Sequence, residues 1–195
     1  LKSDIMIELA SILSFSAIKN NDKVGLLLFS DIIEKYIPPK KGKSHVLRVI
    51  REMLYHQAID RGTNISFALD HIQKVLKRKS IIFLLSDFWD NSFNHSMKFI
   101  NKKHDLINIQ ILDQSELKLP NIGLIKLHDV ENKNEAWVDT TTFANYKKIS
   151  QLVLNKKKYI DTFCKRNNID LISIDTKDGY IEPLIHFFNS RSRRK

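Results

Sequence analysis

The stretch Ser80-Ile81-Ile82-Phe83-Leu84-Leu85-Ser86-Asp87-Phe88-Trp89-Asp90 contains the clearest buried strand of the sequence. An apolar run of this length, followed at once by polar and acidic residues, is typical of a strand that is covered on both faces. Such strands occur in parallel sheets packed between helices. The loop that follows them lies at the carboxyl edge of the sheet, where open α/β sheets bind their ligands.

The segments around this strand alternate between two patterns. Amphipathic stretches predict helices, and short apolar runs predict strands. Helices are predicted over residues 5–19, 44–56, 65–77, 94–102 and 142–166 and from Tyr180 onward. Strands are predicted over residues 24–29, 80–86, 105–112 and 169–174, with an antiparallel edge strand at 32–37 and a strand pair at 120–127 and 135–138. This order predicts an α/β fold with a doubly wound, mostly parallel sheet and helices on both faces.

Three local signals refine this prediction. Pro38 and Pro39 are expected to stop the edge strand, because proline cannot donate to a sheet ladder. Ser44 is expected to cap the helix that follows, with Val46, Leu47, Ile50 and Leu54 facing inward. The turn Asn132-Lys133-Asn134 is expected to join the strand pair.

The first predicted element is a helix, whereas a doubly wound sheet normally begins with a central strand. We therefore expect the first strand to be missing from this chain, with a single domain over residues 1–190 truncated at its amino end. A basic tail is expected at residues 191–195. Loss of the strand would expose two strand edges, through which copies of the chain could associate.

Composition narrows the classes of function. The 195 residues carry a net charge of +10, yet the lysines are dispersed along the sequence, which favours a solvated surface over nucleic-acid binding. No apolar run is long enough to span a membrane. The single cysteine, Cys164, excludes an internal disulfide and suits a reducing, cytoplasmic compartment. No phosphate-binding glycine motif and no closely paired histidines occur.

Polar residues gather in three loops predicted at the carboxyl edge of the sheet. They are Gly62-Thr63, Ser86 to Asp90, and Asp113 to Glu116. Gly62 can adopt a backbone conformation closed to other residues and so present Thr63. The Thr63 hydroxyl and the Asp87 carboxylate are hard oxygen donors of the kind that Mg²⁺ prefers.

As an ordered set, several motifs resemble the von Willebrand A-like domains. More narrowly, they resemble the uncharacterised branch encoded beside MoxR-type AAA+ ATPases, the domain of unknown function numbered fifty-eight. The matching stretches are 21–31, 36–42, Gly62-Thr63, 81–88, His104-Asp105, Asp113, Glu116, Leu119-Pro120, Gly123, the Asp129 region, Thr176, Tyr180, Pro183-Leu184 and the aromatic pair before Arg191.

This resemblance implies a metal-ion-dependent adhesion site. An Asp-x-Ser-x-Ser loop supplies most ligands in such sites, and a threonine and an aspartate from two later loops complete them; Thr63 and Asp87 match those two. The Asp-x-Ser-x-Ser loop is absent from this sequence. The resemblance therefore implies Mg²⁺ or Mn²⁺ in an intact protein, while no cofactor is expected in this chain.

Simpler interpretations of the same residues remain open. Thr63 could cap the helix at Ile65, and Asp87 could cap the next turn. Asp90 could join Asp87 as a hydrolytic carboxylate pair or belong to a polar loop. Phe88, Trp89 and Asp90 are partner-binding candidates, because aromatic residues anchor interfaces, although Trp89 could instead pack under the loop.

Three hypotheses about function follow. The leading one is a non-enzymatic protein-interaction module with a degenerate or truncated adhesion site, working as an adaptor for a MoxR-type ATPase or its client. The rival is a Mg²⁺-dependent hydrolase or nucleic-acid-binding protein that uses Asp87, Asp90 and the basic surface. The third is a scaffold domain whose site is vestigial.

Overall fold

The protein is a mixed α/β chain in a computed structural model that describes residues 2–59, 62–90, 92–113, 124–128, 135–139 and 143–193. Between residues 124 and 150 only the backbone is described. The elements are α1 (Lys2–Lys19), β1 (Val24–Phe29), β2 (Ile33–Lys40), α2 (Lys43–Tyr55), α3 (Ile65–Val75), β3 (Ile81–Ser86), α4 (Asn94–Lys103), β4 (Asp105–Leu112), β5 (Leu124–His128), β6 (Glu135–Asp139), α5 (Phe143–Arg166), β7 (Asp170–Asp175) and α6 (Ile181–Ser192).

The strands form three separate sheets within the described residues. A parallel sheet has the order β3-β4-β7, with Ile81 opposite Asp105 and Ile107 opposite Asp170. Strands β1 and β2 form an antiparallel pair, and so do β5 and β6. A three-stranded parallel sheet and both predicted antiparallel pairs are therefore present among the described residues, whereas these strands do not form the single doubly wound sheet expected from the sequence, since β1 and β3 share no ladder.

Helices pack on both faces of the parallel sheet. On one face, α3, α4 and α5 bury a cluster that includes Leu69, Met97 and Ile160 against Leu84 and Leu106. On the other face, Leu9 of α1 and Leu184 of α6 pack over Ile107, Ile109 and Ile111. The side chains of β4 alternate between these two clusters because successive residues of a strand point to opposite faces. This packing on both faces explains why β4 is buried along almost its whole length, including its polar residues Asn108 and Gln110.

Helix α1 lies against both the parallel sheet and the β1–β2 pair. Its Leu9 belongs to the core over β4 and β7, whereas its Ile7 and Ala10 pack with Val49 and Met53 of α2 in a third cluster. Strand β1 ends beside the helical layer of the opposite face, where Phe29 packs against the α3 core. The two sheets are thus joined by shared helices and not by strand pairing.

Strands β1 and β3 are only partly covered. All the apolar side chains of β1 are half-buried, and Ile81 at the start of β3 is 61 % exposed. Strand β4, by contrast, is buried along almost its whole length. Strand β3 is therefore an edge strand of its sheet, although its sequence predicts a strand covered on both faces.

The prediction that prolines stop the edge strand was wrong. Strand β2 continues through Pro38 and Pro39 to Lys40, which pairs with Val24. Proline is tolerated on an edge strand when its nitrogen faces away from the partner or sits at an irregularity. The ladder is in fact irregular at this point, since its register shifts between Val24 and Leu26.

Helix α2 also differs from the sequence prediction. It begins at Lys43 with Gly42 as its N-cap, and no side chain caps it, so Ser44 lies inside the helix. Leu47 and Leu54, expected to face inward, are 47 % and 58 % exposed. The buried residues are Val46, Val49 and Met53, because the contact with α1 falls on that stripe of the helix.

The carboxyl-terminal elements follow the predictions closely up to Arg191. Helix α6 runs through Arg191 to Ser192, so this residue belongs to a helix and not to a tail. Its guanidinium bonds to Asp170 at 2.7 Å and also pairs with Asp105, the first residues of β7 and β4. The turn Asn132-Lys133-Asn134 lies outside the described residues. No helix in the described ranges is both long enough and apolar enough to cross a membrane.

Candidate functional site

The candidate site lies where β3 ends. The loop Ser86 to Asp90 leaves the carboxyl end of this strand, and the segment Gly62 to Asn64 leads into α3 beside it. The backbone N–H of Asn64 donates to the carbonyl of Ser30, which follows β1, at 3.0 Å. Three loops from separate parts of the sequence therefore meet at one edge. The sequence predicted two of them there, and the third predicted loop, Asp113 to Glu116, lies beyond Asp113 outside the described residues.

Asp90 fastens two of these loops together. Its Oδ2 accepts a hydrogen bond from the backbone N–H of Ile65, the first residue of α3, at 2.7 Å. The same carboxylate accepts from the backbone N–H of Ser92 at 2.7 Å and from the Ser92 hydroxyl at 2.8 Å. A carboxylate at a helix amino end satisfies an orphan donor and complements the helix dipole. Asp90 therefore has a structural role at the start of α3.

Asp87 is the more accessible carboxylate of the loop. Its Oδ2 lies 3.3 Å from the ammonium of Lys2, and the two side chains are 35 % and 20 % exposed. Its Oδ1 accepts a longer hydrogen bond, 3.4 Å, from the backbone N–H of Trp89. Asp87 thus holds the turn after β3 and is paired with the ammonium of Lys2 in the first turn of α1.

The two aromatic residues of the loop have different environments. Phe88 is fully buried and packs edge to face against Phe93, with 5.9 Å between ring centroids. Its backbone adopts φ 60°, a left-handed conformation that is strained for a bulky residue, and its N–H donates to the Ser86 hydroxyl at 3.0 Å. Phe88 is therefore a core residue, which corrects its inclusion among the surface candidates. Trp89 is 38 % exposed and remains at the surface.

Thr63 lies beside these residues but does not cap α3. Asn64 is the N-cap, and its Oδ1 accepts from the backbone N–H of Phe67 at 2.9 Å. Gly62 is needed for close approach and not for an unusual backbone conformation, since a Cβ there would collide with the carboxylate of Asp31. Thr63, which lies between Gly62 and Asn64 in the sequence, is half-buried.

A lysine from α5 clamps the outer part of the loop. The ammonium of Lys156 donates to the carbonyls of Asp90 at 3.0 Å and Trp89 at 3.4 Å. It also lies over the rings of Phe93 and Tyr159, at 5.6 Å and 5.8 Å from their centroids. Because carbonyl dipoles and ring faces both attract a cation, Lys156 fixes the position of Trp89 relative to α5.

The residues present do not fit a divalent-cation site by themselves. Within the described ranges, no three histidine, cysteine, aspartate or glutamate side chains are grouped to hold a metal ion. Asp87 pairs with Lys2, and the oxygens of Asp90 accept from three donors. A cation with only one available carboxylate lacks the oxygen ligands that Mg²⁺ requires.

The cavities beside these residues do not favour a small-molecule site. The one lined by Asp87, Trp89 and Gln110 measures about 10 Å³, room for about one water molecule. An open depression of about 380 Å³ lies at the end of α2, between Arg51 and His56, and none of the loop residues above lines it. The carboxyl edge is therefore a surface and not a pocket.

Comparison with known protein families supports the narrower part of the resemblance, the domain of unknown function numbered fifty-eight. The sequence profile of the family described as "Protein of unknown function DUF58" matches residues 1–159. The chain belongs to this family. The match covers the loops after β1 and β3 and the start of α3, and it ends within α5.

Curated relatives of this DUF58 chain are also uncharacterised. It is 24 % identical over 135 residues to uncharacterised protein Rv1480 of Mycobacterium tuberculosis and to uncharacterised protein Mb1516 of Mycobacterium bovis, covering 67 % of this chain and 42 % of each relative. It is 19 % identical over 162 residues to uncharacterised protein MAV169 of Mycobacterium avium, covering 80 % of this chain and 94 % of that relative. The chain thus spans about two-fifths of the length of the first two. No solved structure matches it significantly.

Two residues of the DUF58 site escaped the sequence reasoning. Lys2 stands 85 residues before Asp87, and Lys156 stands 66 residues after Asp90. No local pattern marks either lysine, because each reaches the loop from a helix that packs beside it only in the folded chain. An ammonium pairing with the loop carboxylate could have been suspected from the net charge of +10, but its position could not.

Proposed function

We propose that this DUF58 chain is a von Willebrand A-like protein-interaction module that is not an enzyme, and that it works as an adaptor with a MoxR-type AAA+ ATPase. Its recognition surface is the carboxyl edge, where Asp87 and Trp89 are exposed beside Thr63. In this chain the adhesion-type site is degenerate or truncated, and Lys2 provides the cation at Asp87. The sole cysteine, Cys164, is buried and reduced, in keeping with work in the cytoplasm.

The observation that carries this proposal is the bond from the Ile65 N–H to Asp90. It joins the two loops to which the von Willebrand A resemblance assigns the threonine and the aspartate of an adhesion site. The bond also leaves Thr63 and Asp87 on neighbouring loops at one sheet edge. A rigid edge with one exposed aromatic residue is suited to binding a protein surface, where such residues supply much of the affinity.

The two sheet edges support the von Willebrand A-like fold. Among the described residues, β1 pairs only with β2 and β3 only with β4, and most of the apolar side chains of β1 and β3 are only partly covered. A further parallel strand between them would unite β2, β1, β3, β4 and β7 in one sheet beneath α1. We propose that this strand is supplied by a segment outside the chain, so that the arrangement becomes doubly wound.

The contacts of Asp90 weigh against the hydrolase alternative. A general acid or base must exchange protons with a substrate, whereas both oxygens of Asp90 accept bonds that hold α3 and the loop. The small volume of the cavity beside Asp87 gives no room for a substrate. Phosphodiester cleavage by the chain, lost on Asp87→Ala, would restore that alternative.

The test is capture of the MoxR-type ATPase of the same organism by the immobilised chain, with its affinity measured by calorimetry. We expect Trp89→Ala to weaken binding at least tenfold, as is typical of an aromatic anchor, since roughly 1.4 kcal/mol is a tenfold change. Phe99→Ala on α4 is the matched control, because Phe99 is 50 % exposed and lies outside the loop. Equal weakening by both variants, or no binding by the wild type, would refute the partner assignment.

A further inference from the structure

Basic residues that are dispersed in the sequence converge at the amino edge of the parallel sheet. Strand β3 follows a basic turn, and β4 and β7 each follow the basic end of a helix. Strands β3 and β4 begin in register, and β7 begins two positions further along. The basic segments that precede the three strands therefore lie on the same side of the molecule. Helix α6 ends there too, because Arg191 contacts Asp105 and Asp170. The basic residues are Lys77, Arg78, Lys79, Lys102, Lys103, Lys165, Arg166, Arg191 and Arg193.

The carboxylates near this basic edge already have partners. Asp105 and Asp170 both pair with Arg191, and Asp161 pairs with Lys165 at 2.8 Å. All the basic residues except Arg191 are exposed, and the sequence continues from Arg193 into Arg194 and Lys195. The amino edge is therefore strongly positive, and its net charge is not cancelled locally.

Acidic residues gather at the opposite edge of the same sheet. Asp87 and Asp90 follow β3, Asp113 follows β4, and Asp175 and Asp178 lie at or after the end of β7. The charge of +10 is thus not spread evenly over the surface. A molecule with charge separated in this way is oriented by a negatively charged surface so that its basic end approaches first.

Apolar side chains are exposed at the basic edge as well. Ile81, the first residue of β3, is 61 % exposed. Phe188, near the end of α6, is 41 % exposed and packs against Phe83 of β3 with 6.4 Å between centroids. A positive surface that also exposes an aliphatic and an aromatic residue is suited to the boundary between lipid headgroups and acyl chains.

We propose that the amino edge of the parallel sheet is a peripheral docking surface for an anionic lipid bilayer. The cations bind acidic headgroups, each contributing about a fivefold gain in partitioning. Ile81 and Phe188 enter the headgroup boundary. This orientation turns the carboxyl edge, with Asp87 and Trp89, away from the membrane. Nucleic acid is the competing polyanion, but the exposed aliphatic side chain of Ile81 contributes nothing to phosphate binding.

The test is co-sedimentation of the chain with vesicles in 0.1 M salt. We expect binding to vesicles of phosphatidylcholine containing about one quarter phosphatidylserine, and none to phosphatidylcholine alone. The triple substitution Lys77→Gln, Arg78→Gln and Lys79→Gln should weaken this binding at least tenfold. The matched control, Lys157→Gln, Lys158→Gln and Lys177→Gln, removes the same charge from exposed positions outside the amino edge and should change binding less than threefold.

Circular dichroism establishes that both triple variants fold, and a single-stranded oligonucleotide is titrated in parallel. The proposal is overturned if the wild type does not sediment with the anionic vesicles, or if neutral vesicles bind it equally. It is overturned too if both triple variants lose binding to the same extent, since net charge alone would then be responsible. Tighter binding to the oligonucleotide than to vesicles, lost in the amino-edge variant, would assign the surface to nucleic acid instead.

Discussion

The two edges of the parallel sheet use charge in opposite ways. At the carboxyl edge, carboxylates accept bonds from nearby backbone: Asp90 from the first N–H of α3, Asp87 from the turn after β3, and Asp175 from the N–H of Lys177 at 3.0 Å. At the amino edge most lysines and arginines are exposed, although Lys103 donates to the carbonyls of Gln73 and Leu76, and the carboxylates Asp105, Asp161 and Asp170 are paired. The difference follows from backbone chemistry, because helix amino ends at the carboxyl edge offer free N–H groups to anions, whereas helix carboxyl ends favour cations.

The comparison teaches that acidity alone does not identify a catalytic or metal site. The loop Ser86 to Asp90 looks like a pair of available carboxylates in the sequence, yet Asp90 is committed to holding the fold and Asp87 already has a cation. The exposed groups of this loop are then Asp87 and Trp89. Substitutions at the two edges distinguish charged side chains that hold the fold from charged side chains that are available to a partner.

The largest effect is expected from Asp90→Ala. Loss of the bond from the Ile65 N–H and of two bonds from Ser92 should lower the free energy of unfolding by about 2 kcal/mol. Urea denaturation followed by circular dichroism measures this change. The control Asp178→Ala, at an exposed acidic residue of the same edge, should change stability by less than about 0.5 kcal/mol. Equal effects would mean that Asp90 does not fasten the loop.

A smaller loss is expected from Arg191→Met at the amino edge. The substitution leaves Asp105 and Asp170 side by side without their shared counter-ion and should cost about 1 to 2 kcal/mol of stability. Arg193→Met, one residue beyond the end of α6, should cost almost nothing. If the denaturation midpoints of the two variants do not differ, the amino edge holds no structural cation.

Acidification should destabilise the protein through His104. This histidine is 2 % exposed at the end of α4, and its burial, with the nearby charge of Lys103, lowers its pKa below the usual value. The unfolded chain therefore binds a proton before the folded chain does. Its contribution to stability should be complete above about pH 6.5 and fall at lower pH, by at most about 1.4 kcal/mol per pH unit. His104→Leu should flatten this dependence in pH-resolved denaturation, whereas His95→Gln, at an exposed position, should not.

The smallest effect on stability is expected from Lys2→Met. Its ion pair with Asp87 is partly exposed, and a cation in the first turn of a helix opposes the helix dipole. These two effects nearly offset one another, so the change should be below about 0.5 kcal/mol. A double-mutant cycle with Asp87→Asn measures the coupling. A coupling above about 2 kcal/mol would make Lys2 a structural residue comparable with Asp90.

Much of the fold could be predicted from the sequence because its signals are local. The apolar run Ile81 to Leu85 and the amphipathic stripes of α3 and α5 predicted the order of strands and helices. The predicted end of β2 at its prolines was wrong because an irregular edge ladder tolerates them. The predicted burial of Leu47 and Leu54 was wrong because the position of α1 decides which stripe of α2 is buried.

Less of the site could be predicted, since its contacts are distant in sequence. Asp87 and Trp89 were found because they follow a buried strand. The burial of Phe88 depends on Phe93 and α5, and the first N–H of α3, that of Ile65, donates to Asp90, 25 residues away. The basic edge is invisible in the sequence because its lysines and arginines belong to four separate segments.

Cys164 illustrates a prediction that the structure sharpens. The sequence excludes an internal disulfide for it, and the structure shows it 1 % exposed in the core beside Asn108, whose amide donates to its sulfur at 3.4 Å. Burial raises the pKa of the thiol to about 11. A thiol of this kind stays protonated near neutral pH and is a poor nucleophile.

The central claim is that β1 and β3 flank the position of a missing parallel strand. The most direct measurement is amide hydrogen exchange, read out residue by residue, on this chain and on an extended chain that carries the proposed strand at its amino end. We predict that the amides of β3 that do not bond to β4 become at least a hundredfold better protected in the extended chain, together with those of β1. Unchanged exchange in both strands would contradict the claim and leave the two sheets as separate units.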